Sequence, residues 1–354
     1  MKTLIIGGGL SGLALAERLQ TDGQEYELIE ARDRFGGRIL TECPEDGGYF
    51  DMGPAWFWPG QPRIAALIAR LGLKKFDQYA LGELLFEDEN GRVHRGRGFA
   101  SMEGSWRLDG GLGALTQALA DRIPAERKRL NAHVVSVEKT QAGCRAVLGD
   151  GAMIEAEHVV LAMPPRIMAT IKFDPPLPDR AIQAMNAVPT WMAGQAKAMA
   201  VYDTPFWRNV GLSGDAMSRR GPMGEIHDAS ALNGGGYALF GFIGIPPQAR
   251  SDEQVLRQAV MAQLVRLFGK EAAEPRALMI KDWAFDPLTA TDADAAPVYS
   301  HPAYGLPDAL KTLWDGDLVL AGTEVAQSFG GFVEGALEAA EAAHKRLSVQ
   351  KSAA

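Results

Sequence analysis

Residues 2–31 read KTLIIGGGLSGLALAERLQTDGQEYELIEA, and the fold turns on this stretch. "KTLII" is a short apolar β run. "LSGLALAERLQ" follows with helical spacing, Leu15 and Leu19 falling on one face, and Asp22-Gly23 supplies a stop. "YELIEA" is a second β run. A strand, a helix and a strand within about 30 residues make a βαβ unit of the size used to bind nucleotides. Gly7, Gly9 and Gly12 match G-x-G-x-x-G at the strand-to-helix turn, with Leu10 and Ser11 between them. The first glycine permits the tight turn, the second lets backbone approach a pyrophosphate, and the third lets helix and strand lie close. The helix N-terminus adds N–H donors and partial positive charge. Glu30 ends the second strand, where an acid binds a ribose hydroxyl and disfavours a 2′-phosphate. NAD and FAD both satisfy this much. A glycine-rich turn with no ligand is the bland alternative.

"ARDRFGGRILT" (31–41) follows at once, and Arg32 and Arg38, beside Gly37, can reach a pyrophosphate. "YFDMGPAWFWPGQPRI" (49–64) is rich in aromatics and prolines around Gly53. It can wall a flat ring system with Gly53, Pro54, Ala55 and Trp56, or serve as a plain connection. Near the other end, "SFGGFVEGA" (328–336) exposes backbone before a helix in which Val333, Ala336, Leu337 and Ala340 share a face. Acids lie early in that helix and Lys345 and Arg346 late, as the macrodipole prefers.

The chain has 354 residues, 36 Lys and Arg against 44 Asp and Glu, and a net charge of −8. No basic block favours nucleic acid or an anionic membrane. Cys43 and Cys144 have neither metal nor disulfide spacing, which suits a reducing compartment. A strand expected from Lys2 argues against a signal peptide, and no apolar run nears a membrane span. A cytoplasmic protein is expected.

Several ordered motifs together resemble the flavin amine oxidase family, which includes monoamine, polyamine and L-amino-acid oxidases and lies close to carotenoid desaturases and protoporphyrinogen oxidases. They are "IIGGGLSG", "LIEARDRFGGRILT", "FDMGPAW", "DGGLGALTQALA" (109–120), "HVVSVE" (133–138), "VVLAMPP" (159–165), "KAMAVYDTPFW" (197–207) and "LVLAGTEVAQSFGGFVEGALEAA" (318–340). The likeness runs over essentially the whole chain. It implies an α/β fold, a Rossmann-type FAD-binding domain with a second α+β substrate-binding domain. The FAD domain is expected at about 1–60, 105–170 and 281–354, and the substrate domain at 61–104 and 171–280.

The resemblance also implies site roles. The N-terminal glycine turn would hold the FAD pyrophosphate, and the helix opening at Phe332 and Val333 would face the flavin pyrimidine ring. Val134 would offer backbone to the adenine half, and Gly322 and Glu324 would lie near the ribityl chain. Lys197 sits on the strand "GQAKAMAVY", sharing a face with Gln195, Met199 and Val201. On sequence alone it could be an edge-strand charge. The family reading gives it a water at flavin N5 and a part in O₂ reduction, with Trp283 beside the flavin. Phe332 stands at one position of the family's aromatic cage. Ungapped counting puts Ala293 at the other, and a short insertion puts Val298 there. Tyr299 or Tyr304 is the expected substitute, Tyr299 being the first choice as a substrate contact. The family's covalent-flavin cysteine is missing, so FAD is expected to be non-covalent. His301 is a lone loop histidine, and "RVHRGRG" (92–98) reads as a solvated hairpin.

The first functional expectation is an amine oxidase that uses O₂ and yields H₂O₂. A desaturase or dehydrogenase on the same fold is the alternative, favoured by the altered cage. A flavin-binding partner without turnover is the third reading.

Overall fold

The computed structural model describes residues 2–353 apart from 46, 97, 233, 297 and 299. Strand β1 (Lys2–Ile6), helix α1 (Leu10–Thr21) and strand β2 (Glu25–Ile29) form the expected unit. β1 lies at the centre of a five-stranded parallel sheet. Across it the order is Leu318–Leu320, His158–Leu161, β1, β2 and Lys128–Arg129. Near-continuous apolar strands such as "TLII" and "HVVL" are buried on both faces, as a covered parallel sheet requires. One face packs under α1, the helix Gly111–Arg122 and the C-terminal helix Val333–Ala353 through Leu13, Leu112, Leu115, Leu337 and Ala340.

Close backbone approach explains two of the fingerprint glycines. A Cβ on Gly7, whose φ is +114°, would lie 2.5 Å from the Ala162 carbonyl oxygen, and one on Gly12 would lie 2.0 Å from the Gly7 carbonyl oxygen. Gly9 caps the N-terminus of α1.

A second, seven-stranded sheet runs in the order Ala277–Asp282, Ala196–Tyr202, Tyr237–Ile243, Met223–Asp228, Leu212–Ser218, Glu83–Glu87, Val93–Arg95. Only Leu212–Ser218 and Glu83–Glu87 pair in parallel. The last two strands form a hairpin to which the stretch 92–98 contributes only the second strand, residue 97 lying outside the described residues. Ala196, Ala198, Ala200 and Tyr202 face the helix Glu253–Phe268, while Met199 and Val201 face Phe50, Met52 and Trp56. The period-two alternation seen in the sequence thus decides which side Lys197 takes. A four-stranded sheet, Met153–Ala156, Gly143–Leu148, Val134–Thr140 and Lys172–Asp174, completes the framework. No helix among the described residues is long and apolar enough to cross a membrane.

Helical spacing in "SDEQVLRQAVMAQLVRLF" (251–268) predicts an amphipathic helix capped by Ser251, with Val255, Ala259, Leu264 and Phe268 apolar; the observed helix is Glu253–Phe268, with its cap one position later. Asp252, not Ser251, caps it, its carboxylate accepting from the Val255 N–H at 3.0 Å. Val255 is 60% exposed, and Leu256, Val260, Leu264, Leu267 and Phe268 form the buried stripe. Aspartate and serine cap equally well, so the choice fell to the phase in which the helix meets the sheet.

Gly12→Ala must push α1 away from the Gly7 carbonyl. A loss of about 1–3 kcal/mol in unfolding free energy is expected, read by urea denaturation against the unsubstituted chain.

Candidate active site

A cavity of about 650 Å³ runs along the carboxyl ends of the parallel strands and on to the seven-stranded sheet. Ligands bind at this edge in open α/β sheets. Glu30, Arg32, Val134, Gly7, Leu10, Ser11, Gly37 and Arg38 line the part beside the parallel sheet. Gly322, Phe332 and Val333 are also on the wall, and Gly53, Pro54, Ala55, Trp56, Lys197 and Trp283 line the far end, against the seven-stranded sheet. Gly9, Gly12 and Glu324 are not on the wall. Tyr299 lies outside the described residues.

Glu30 is fixed by backbone. Its Oε2 accepts from the Gly8 N–H at 2.6 Å and its Oε1 from the Arg32 N–H at 2.9 Å. Each oxygen keeps a further lone pair for a hydroxyl donor. Both sequence-nominated arginines have carboxylate partners far along the chain. Arg32 clasps Asp286 at 2.8 and 3.0 Å and donates to Thr289. Arg38 pairs with the fully buried Glu324 at 2.6 Å. Glu324 Oε2 is buried without a partner, behind Gly322, which lines the cavity.

Lys197 and Trp283, 86 residues apart, converge on two consecutive carbonyls. The Lys197 ammonium donates to the Gly53 carbonyl, and the Trp283 indole donates to the Met52 carbonyl at 3.0 Å. Gly53 has no room for a side chain, because a Cβ there would meet the Arg38 carbonyl oxygen at 2.0 Å. Lys197 is only 5% exposed. Its Nζ lies 4.7, 5.1 and 5.8 Å from the ring centroids of Phe240, Phe242 and Trp56, within cation–π range. Burial pushes its pKa down to about 8, the Asp51 carboxylate opposing and the Arg107 cation reinforcing that shift. Asp51 is itself buried and its pKa is raised by desolvation.

The cage differs from two facing tyrosines. No tyrosine lines the cavity among the described residues. Phe332 is backed by His301, stacked at 4.8 Å and 15°, and meets Trp58 edge-on at 6.3 Å. Trp58 and Trp191 share the wall with Phe332, and Trp191 and Tyr304 enclose His301. Tyr304 donates to the Pro189 carbonyl at 2.8 Å. It stands off the wall, as do Ala293 and Val298. Trp58 lay within the aromatic loop noted in the sequence, but nothing local marked Trp191. Glu225 is also on the wall, and "GEIHD" gave no sign of it.

A model of the family described as flavin containing amine oxidoreductase matches residues 10–99 and 94–347. The chain belongs to that family. It is therefore an FAD-dependent oxidoreductase, amine-oxidase-like in sequence. Among similar proteins, the putative flavin-containing monoamine oxidase AofH of Mycobacterium tuberculosis is 26% identical, with 96% of this chain and 95% of that one covered. The probable flavin-containing monoamine oxidase A of Dictyostelium discoideum is 23% identical, covering 95% and 94%. Two solved structures share the fold. Cyclohexylamine oxidase from Brevibacterium oxydans gives a TM-score of 0.84 at 21% identity, over 99% of both chains. Putrescine oxidase bound to putrescine gives 0.82 at 21% identity, again over 99% of both.

Trp283→Phe keeps an aromatic side chain and removes the pyrrole ring that donates to the buried Met52 carbonyl. A loss of about 1–3 kcal/mol in stability is expected, measured by denaturant unfolding.

Proposed function

We propose that the protein is an amine oxidase that holds FAD non-covalently along this cavity, oxidises an amine and returns the electrons to O₂. The observation that carries the reading is the convergence of the buried Lys197 ammonium and Trp283 on the consecutive Gly53 and Met52 carbonyls at the cavity's far end.

The residues fit the cofactor. The glycine turn at Gly7, Gly9 and Gly12 with Leu10 and Ser11, together with Gly37, offers backbone to a pyrophosphate. Glu30 and Val134 suit the adenosine half, and Arg38 and Gly322, with the unpartnered Glu324 oxygen behind Gly322, suit the middle. Gly53 to Trp56, Phe332 and Val333 would frame the ring system, and the N-terminus of the helix starting at Val333 favours negative charge there. Bound FAD would supply the chemistry, accepting a hydride from the amine C–H at N5 and passing two electrons to O₂ to give H₂O₂. Lys197 puts positive charge where negative charge develops on oxygen, in a dry setting where it counts most. The apolar wall of Trp56, Trp58, Trp191 and Phe332 favours the neutral, reactive form of an amine.

The parallel sheet draws its strands from 1–60, 105–170 and 281–354, the proposed FAD-binding domain. The proposed substrate domain, 61–104 and 171–280, supplies most of the seven-stranded sheet, whose edge strand Ala277–Asp282 crosses that boundary. Cys43 and Cys144 are free thiols off the cavity wall. They support non-covalent flavin and suit a reducing, cytoplasmic setting.

One observation favours a second reading, a desaturase or dehydrogenase acting on a non-amine or passing electrons to another acceptor. It is the lack of a lining tyrosine among the described residues.

Anaerobic addition of an amine is expected to bleach the yellow protein, and air to restore the colour with peroxide formed. Recolouring only with an added acceptor would select the second reading, and a protein that takes up no FAD would refute both. Lys197 carries its charge below about pH 8 and loses it above. Reoxidation by O₂ should therefore slow as pH rises through that value. Lys197→Met should be slow throughout with no such inflection, by stopped-flow absorbance. Acid precipitation is expected to leave all the flavin in the supernatant; yellow precipitate would contradict non-covalent binding.

A further inference from the structure

Two acidic side chains line the cavity among the described residues, Glu30 at the nucleotide end and Glu225 at the far end. Glu225 has no part in the chemistry above. It sits on the strand Met223–Asp228 directly opposite Phe242, and Phe242 sits directly opposite Lys197 on the next strand. The three residues form one row across three adjacent strands, and all three line the cavity. Strands in a sheet are about 4.8 Å apart, which sets the Glu225 backbone about 10 Å from that of Lys197. Between them the wall is the Phe242 ring, with Trp56 and Met102 also lining this end.

The carboxylate is built to stay charged and in place. Glu225 Oε1 accepts from the Ser101 hydroxyl and lies 3.0 Å from His227 Nε2. On its other side, His227 Nδ1 lies 2.7 Å from Asp215 Oδ1. The hydrogen bond from His227 holds Glu225 below the usual carboxylate range; burial opposes this, and Ser101 adds to it. Burial disfavours the His227 cation, but Asp215 and Glu225 outweigh it and raise its pKa. Asp215 and Glu225 thus flank the two ring nitrogens of His227, and Glu225 is the member of the cluster that lines the cavity. Both contacts of Glu225 use Oε1, which leaves Oε2 to accept from a ligand. The imidazole is also wedged among rings, 5.2 Å from Trp56 and 5.8 Å from Phe240, so it cannot swing to follow a ligand.

A carboxylate fixed in an otherwise apolar wall favours a cation. We infer that Glu225 is a specificity-determining residue that binds a second cationic nitrogen of the substrate, so that the preferred substrate is a diamine or polyamine. The inference rests on the amine-oxidase reading and names the substrate class for the same cavity. The reacting nitrogen must be neutral beside Lys197, whereas the distal nitrogen stays protonated against Glu225. The alkyl chain between them lies along Phe242. His227, held by Asp215, is the positioning residue for the carboxylate.

The test compares putrescine with pentylamine and cadaverine with hexylamine, pairs of matched length in which a methyl replaces the distal ammonium. Anaerobic flavin reduction is followed in the unsubstituted protein and in Glu225→Gln, with the flavin spectrum and melting temperature as folding controls. The unsubstituted protein should favour each diamine by about tenfold or more in the ratio of flavin reduction rate constant to Kd, mainly through Kd. That ratio should collapse towards one in Glu225→Gln. Equal or better use of the monoamines by the unsubstituted protein would overturn the inference whether or not the variant folds, and so would an unchanged ratio in a folded variant. Either result would leave the oxidase reading standing. Flavin that no amine reduces would overturn that reading and this inference with it.

Discussion

A buried ammonium needs a partner, and at Lys197 the partner is the Gly53 carbonyl. An unpaired charge in a dry interior is strongly disfavoured. The loop after Asp51 is therefore held to the seven-stranded sheet by electrostatics as well as by packing. Trp283 fixes the preceding carbonyl from the other side, and the absence of a side chain on Gly53 lets the loop lie against Arg38. The sheet, this loop and the segment at Arg38 thus meet at Met52 and Gly53. The rings around Lys197 then do two things at once. They remove water, which lowers the pKa of the amine, and they offer π faces that partly compensate the remaining charge.

Carboxylates buried by the fold tie its ends together. Glu334, fully buried in the first turn of the C-terminal helix, accepts from the Arg63 and Ile64 N–H groups. Those N–H groups open the helix Pro62–Arg70, so one side chain caps a helix 270 residues away. Glu338 gathers the N–H groups of Gln327, Ser328 and Phe329 and holds the turn before its own helix. Glu324 pairs with Arg38, and Asp286 with Arg32. These contacts bring the N-terminal motifs and the last helix to the same cavity.

Local patterns carried much of this in the sequence. The glycine spacing, the two apolar strands and the helical face between them specified the βαβ unit. Strand alternation put Lys197 on the face opposite its alanine neighbours, and helical spacing identified Val333, Ala336, Leu337 and Ala340 as buried. These features depend on backbone period and on residues a few positions apart, so a linear reading suffices. The motif resemblance extended it to the family, because ordered motifs record a common fold.

Only the tertiary structure decided which faces meet. It paired Arg32 with Asp286, ran Lys197 and Trp283 to neighbouring carbonyls, backed Phe332 with His301 and put Trp191 and Glu225 on the cavity wall. It also moved the cap of the helix Glu253–Phe268 from Ser251 to Asp252. Each of these outcomes depends on the register and packing of segments distant along the chain. Period and composition are local properties of the sequence, whereas the neighbours of a side chain are fixed only when sheets and helices close on one another.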